Sequence, residues 1–182
     1  MAESKNLYGI FLTFNSNIEK VFNRLHENFE RYFNLPAAPH LTLMYPFVPV
    51  FSLFMVNEQL EKVARRTKAF NIVLDGIKFF ENESNVIYAA VENKRAVKKL
   101  HMDIAGALEG LVQDWRIDAK YNLERFIPHV TIGNKIPDDI FPDLKKRLSR
   151  YGLHFEDIIT EFSLYAETDG IWQPKRVFKL AG

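Results

Sequence analysis

Cysteine is absent from the 182 residues. That excludes disulfides, thiolate nucleophiles and cysteine-held metals, and it fits a reducing compartment. A charge surplus is missing too, because 24 Lys and Arg stand against 23 Asp and Glu, a formal net charge of +1. Proteins that lie along duplex nucleic acid carry a basic excess. No long duplex is therefore expected as a partner, and a nucleic acid, if engaged, is expected to be held locally at an end. Long apolar runs are also lacking. The most apolar stretch, residues 41–56, is broken by Thr42, Pro46, Pro49 and Ser52 and is too short for a membrane span. The opening residues MAESKN are polar, so neither a secretory leader nor a membrane partner is expected, and the expected setting is cytoplasmic.

What is present is core-forming material. Hydrophobic residues make up 47% of the chain and 16 are Phe, enough for one substantial domain. Residues 7–14 read as a buried strand. An amphipathic helix follows, with Ile18, Val21, Phe22, Leu25, Phe29 and Phe33 on its apolar face. After a strand beginning near Pro39 comes an apolar loop, residues 46–51, costly to leave bare in water. A second helix is expected over about 57–68. Phe70, Ile72 and Leu74 then alternate as a strand, Gly76 marks a bulge, and Ile77 and Phe79 resume the pattern. Beyond the polar turn 81–84 the order restarts: strand 85–91, a helix marked by Val97, Leu100, Ile104, Leu108 and Leu111, and a strand over 126–134. A helix around Phe141 and Leu144 follows, then a strand at 160–167, a Thr168-Asp169-Gly170 turn and a last strand over 171–180.

Two stretches stand out, Pro39-His40-Leu41-Thr42-Leu43 and Pro128-His129-Val130-Thr131-Ile132. Both read Pro-His-apolar-Thr-apolar, and each occupies the same place in its half. Side chains two apart on a strand share a face. Each copy thus presents one imidazole and one hydroxyl on one surface, with apolar residues anchoring the other. The repeated order predicts an internally duplicated α+β fold with two antiparallel sheets and outer helices around a central cleft. In a single domain spanning 1–182, the lobes fall at about 1–80 and 81–182, with strands free to exchange between them. A pseudo-twofold axis would bring the two motifs together.

That residue set matches phosphodiester chemistry without a metal. One histidine deprotonates the nucleophile and the other protonates the leaving oxygen, both near neutral pH. Two threonine hydroxyls can stabilise the charge growing on the phosphate. On these motifs and the repeated element order, the chain resembles the two-histidine phosphoesterase superfamily, which includes 2′-5′ RNA ligase-like proteins and cyclic nucleotide phosphodiesterases. The resemblance covers nearly the whole chain. It implies His40 and His129 as the acid–base pair and Thr42 and Thr131 as phosphate donors, with no cofactor and no obligatory metal. The implied substrate is a nucleotide or RNA end bearing a 2′,3′-cyclic phosphate, or a 2′-5′ linkage to be cleaved or ligated.

Around the motifs, Lys135 lies on the face of His129 and Thr131 if that strand continues, and could reach a phosphate. Arg125, just before the strand, is a second candidate. Tyr45 and the aromatic stretch 47–51 are placed to stack a base, although each also suits a core-capping role. Trp172, after a turn, could stack a base or close the core at a strand end, and the core reading is preferred. His26, His101 and His154 lack a hydroxyl at i+2 and read as ordinary histidines. Two other function classes remain open: metal ligation by His40 and His129, which lacks an evident third ligand, and a binding module that engages nucleotides or RNA ends without turnover.

Overall fold

The computed structural model describes residues 7–14, 16–29, 38–81, 84–114 and 126–182, without the side chains of residues 16, 26–29, 45 and 114. In chain order, β1 (Leu7–Thr13), α1 (Ser16–Phe29), β2 (His40–Pro49), α2 (Leu53–Arg66) and β3 (Phe70–Phe80) come first. Next are β4 (Val86–Val91), α3 (Lys94–Ala107), β5 (Val112–Asp114), β6 (His129–Gly133) and α4 (Phe141–Leu148). The chain closes with β7 (His154–Ile159), β8 (Glu161–Thr168) and β9 (Ile171–Lys179).

The chain is α+β, as expected, but its strands pair along one path rather than as two separate sheets. The order is β7-β3-β4-β6-β2-β1-β8-β9, with β5 added to β2, and every strand pairing is antiparallel. A cut near residue 80 does not divide this path. Strands β1, β2, β8 and β9 lie to one side, and β3, β4, β6 and β7 to the other. The two sides meet through β2 and β6, joined at the single pair Leu41↔Val130.

Local chemistry explains the elements. Gly76, with φ of 72°, sits in the β3 bulge, where the register slips between Leu74↔Val91 and Ile77↔Ala89. Asp169 and Gly170, with φ of 54° and 80°, form the two-residue hairpin turn between β8 and β9. Positive φ at both central residues matches the twist of the flanking strands. Residues 46–49 of the apolar stretch expected as a loop are instead the far end of β2, and only 50–51 lie beyond it. Register shifts by one residue between Ile10↔Met44 and Tyr8↔Phe47, so Pro46 falls inside a bulge that needs no ladder donor. Helix α2 begins earlier than its apolar periodicity suggests, because the Ser52 hydroxyl accepts from the Met55 N–H at 3.4 Å and caps it.

Leu41, Leu43, Val130 and Ile132 are buried in the core. Helix α3 packs against β2 and α2, while Phe141 of α4 meets Phe79 of β3 edge-on. By strand alternation the motif histidines and threonines therefore project from the opposite surface. The β2–α2 connection and the first turn of α2 do stay bare, with Phe51 69% and Phe54 71% exposed.

Candidate active site

Because β2 and β6 are neighbours, both motifs border one cleft of about 640 Å³. Counting one residue outward from Leu41↔Val130 sets Thr42 across from His129 and His40 across from Thr131. The four side chains are half-buried and all line the cleft.

Each imidazole is oriented by backbone. His40 Nδ1–H donates to the Ala38 carbonyl at 2.9 Å, and His129 Nδ1–H donates to the Ile127 carbonyl at 2.7 Å. A carbonyl only accepts, so it fixes the hydrogen on Nδ1 and leaves Nε2 available for proton transfer. Aromatic rings complete each setting. Phe11 meets His40 at 4.7 Å between centroids, while Tyr88 and Phe80 each meet His129 at 5.2 Å. The register is matched on the two sides: Phe11 pairs with Thr42, and Tyr88 pairs with Thr131.

Burial pushes His40 below the usual histidine range, and its bond to the Ala38 carbonyl works the other way. His129 is pushed down by burial as well, with the Ile127 carbonyl opposing and the charge of His40 adding to the depression. Two like charges resist coexisting. The pair is thereby biased toward states in which at most one imidazole is protonated.

A profile of the 2′-5′ RNA ligase superfamily matches residues 14–170. The chain belongs to this superfamily of two-histidine phosphoesterases. A provisionally named phosphoesterase of Oceanobacillus iheyensis is 31% identical over 175 residues, covering 95% of this chain and 97% of that one. In fold, this superfamily member is similar to TT0787 of Thermus thermophilus, with a TM-score of 0.74 and 18% identity over 97% of this chain and 98% of that one. E. coli LigT complexed with 3′-AMP is also similar, with a TM-score of 0.67 and 16% identity over 98% of this chain and 100% of that one.

The other expected site residues fare differently in this superfamily member. Strand β6 ends at Gly133, so alternation along it does not govern Lys135. The lysine nevertheless lines the cleft, from a bend where its φ is 53°. Asn85 steadies that segment: its Nδ2 donates to the Ile136 carbonyl at 3.2 Å and to Asp138 Oδ1 at 2.6 Å. Lys135 is the one Lys or Arg among the described residues lining the cleft. Arg125 lies outside the described residues, as do the side chains of Tyr45 and His26. Phe47 is fully buried in the core. Trp172, expected in the core, is half-buried and lines the cleft.

No group of three or more His, Asp or Glu side chains converges among the described residues, and no described helix is long and apolar enough to cross a membrane. The aromatic partners Phe11, Phe80 and Tyr88 are invisible to a motif search. Alternation could place Phe11 and Thr13 on one face, but only strand pairing sets them beside β2.

Proposed function

We propose that this protein is a metal-independent phosphodiesterase that opens 2′,3′-cyclic phosphates on nucleotides or RNA ends. The observation that carries the reading is the matched orientation of two imidazoles across one cleft, each with Nδ1–H held by a carbonyl two residues upstream. In the forward reaction one neutral histidine takes a proton from water through Nε2 as the water oxygen bonds to phosphorus. The P–O bond to one ribose oxygen breaks, and the protonated histidine gives its Nε2 proton to that oxygen. The product is a ribose hydroxyl and a phosphomonoester, and the two histidines have exchanged protonation states. Thr42 and Thr131 donate to the non-bridging oxygens, where charge builds in the transition state. Lys135 adds a cation at the rim.

Nucleotide binding in the superfamily, seen in E. coli LigT complexed with 3′-AMP, supports a nucleotide or RNA-end substrate. The deciding experiment is hydrolysis of a panel of 2′,3′-cyclic mononucleotides and a cyclic-phosphate-ended RNA, with chelator present. A 2′-5′-linked dinucleotide belongs in the panel because the superfamily takes its name from that linkage. Turnover that survives chelator and disappears in His40→Ala/His129→Ala is the expected result. Turnover that chelator abolishes, or that the double variant retains, overturns the mechanism.

A further inference from the structure

Around the two motif histidines the matched halves diverge. On the His129 side, Phe80 lies stacked on Tyr88, with centroids 4.2 Å apart and planes 24° from parallel. That ring occupies the space next to the histidine's aromatic neighbour. On the His40 side Phe11 is itself buried, and its ring partners stand across it rather than stacked on it. His40, Tyr165 and Trp172 all meet Phe11 edge-on, at 61°, 66° and 87°. Between them is a recess of about 340 Å³, lined by Phe11, Tyr165, Trp172 and Pro174 together with Thr13 and His40.

This recess is built by specific features. The Asp169-Gly170 turn fixes the β8–β9 register so that Glu167 pairs with Trp172, which brings the indole over β1. There Gly9 makes room, since a Cβ at that position would come within 2.8 Å of Phe11 Cζ and 3.2 Å of Trp172 Cζ3. Phe11, His40 and Trp172 border both the recess and the central cleft. The recess therefore adjoins the cleft, next to the place where a phosphate between the motifs would lie.

We infer that the recess beside His40 is a nucleobase subsite, and that substrates lie across the cleft in one direction, with the base toward β1, β8 and β9. This rests on the phosphodiesterase reading above. The recess lies at the lower end of the size range of small-molecule sites, roughly 300–1,000 Å³, suited to a part of a ligand. Its walls are aromatic side chains and a proline, with the Thr13 hydroxyl as a side-chain hydrogen-bonding group near His40. Such a wall holds any planar ring by stacking and discriminates weakly between bases.

The test is calorimetric titration of the intact protein with 3′-AMP and with methyl ribofuranoside 3-phosphate, which carries the same phosphate but no base. Steady-state kinetics on the corresponding 2′,3′-cyclic phosphates run alongside. The base is expected to tighten binding by ~10-fold or more and to act mainly on KM. Uridine 3′-monophosphate should bind within a few-fold of 3′-AMP. Trp172→Ala should collapse the ratio between the base-bearing and base-free ligands, and Trp172→Phe, which keeps an aromatic face, should restore most of it.

Equal binding of the two ligands by the unmodified protein overturns the subsite, as does a Trp172→Ala loss of the same factor on both. If neither cyclic phosphate is turned over but the base advantage persists and depends on Trp172, the subsite stands and the hydrolytic reading falls. Turnover indifferent to the base has the opposite meaning. Should Trp172→Ala fail to fold, Trp172→Phe and the ligand comparison in the unmodified protein still decide.

Discussion

The imidazole of His101 lies flat on the phenyl ring of Phe126, with centroids 3.9 Å apart and planes within 12° of parallel. Its Nδ1–H donates to the Leu43 carbonyl at 2.7 Å. One buried side chain on α3 thus touches β2, just past the first motif, and the segment that leads into the second. His101→Ala should cost roughly 2–4 kcal/mol of stability, through a lost hydrogen bond and a cavity. Equilibrium urea unfolding measures this.

Acid should also loosen the fold. Burial pushes His40, His101 and His129 below the usual histidine range. The unfolded chain, with histidines near pKa 6.5, therefore binds more protons than the folded one. Stability is fully present above about pH 6.5 and falls as pH drops toward the depressed folded values. Urea midpoints at pH 7.5 and 5.5 should show the decline. His101→Phe, which keeps a ring but cannot be protonated, should make it shallower.

For the proposed reaction, His40→Ala and His129→Ala should each lower turnover by ~10²–10⁴-fold, the usual contribution of a general acid or base. Thr42→Val and Thr131→Val should cost ~10²–10³-fold, in line with lost oxyanion donors. Circular dichroism and melting curves establish that each variant is folded. Normal rates in both histidine variants would remove the assignment.

Proton coupling between the histidines gives an independent check. Dependence of kcat/KM on pH should be bell-shaped, with its alkaline midpoint below about 6.5, because both imidazoles are depressed in the free protein. A bound phosphate favours the imidazolium, so the alkaline limb of kcat should lie at higher pH. Titration of His129 by NMR in His40→Ala should show its pKa rising, since a like charge has gone and burial is relieved. A pKa that stays fixed or falls contradicts the coupling.

Lys135 offers a separation of stability from binding. A non-glycine residue at positive φ is strained by about 1–2 kcal/mol, and Lys135 holds φ of 53° at the rim of the cleft. Lys135→Gly should raise the melting temperature slightly while raising KM for a cyclic phosphate several-fold. Equal KM values would assign the lysine to the solvated loop alone.

Much of this was readable in the chain. Alternation within Pro-His-apolar-Thr-apolar is a strand signal that carries its own facing information, and it put four polar side chains on one surface. Gly76 and Asp169-Gly170 named a bulge and a turn because few other residues tolerate those backbone angles. The strand order was not readable, since β8 and β9 join β1 and β2 across more than a hundred residues, and no local pattern encodes that pairing. Pro46 and Pro49 obscured the length of β2, because a proline inside a bulge looks in sequence like the end of a strand. Trp172 and His101 were only partly readable, for a shared reason. Each takes its role from a neighbour distant in the chain, Phe11 for one and Leu43 for the other.

The join between β2 and β6 has a consequence for how the site can change. A ladder of one rung, Leu41↔Val130, specifies almost no alignment of its own. Each imidazole is instead held level with its own aromatic neighbour by the strand outside it, β1 beside His40 and β4 beside His129. A one-residue slip in a strand turns every side chain to the other face. An insertion within β1 or β4 would therefore turn Phe11 or Tyr88 away from its histidine with every motif residue still in the chain, and a search for the motifs alone would pass such a protein as intact.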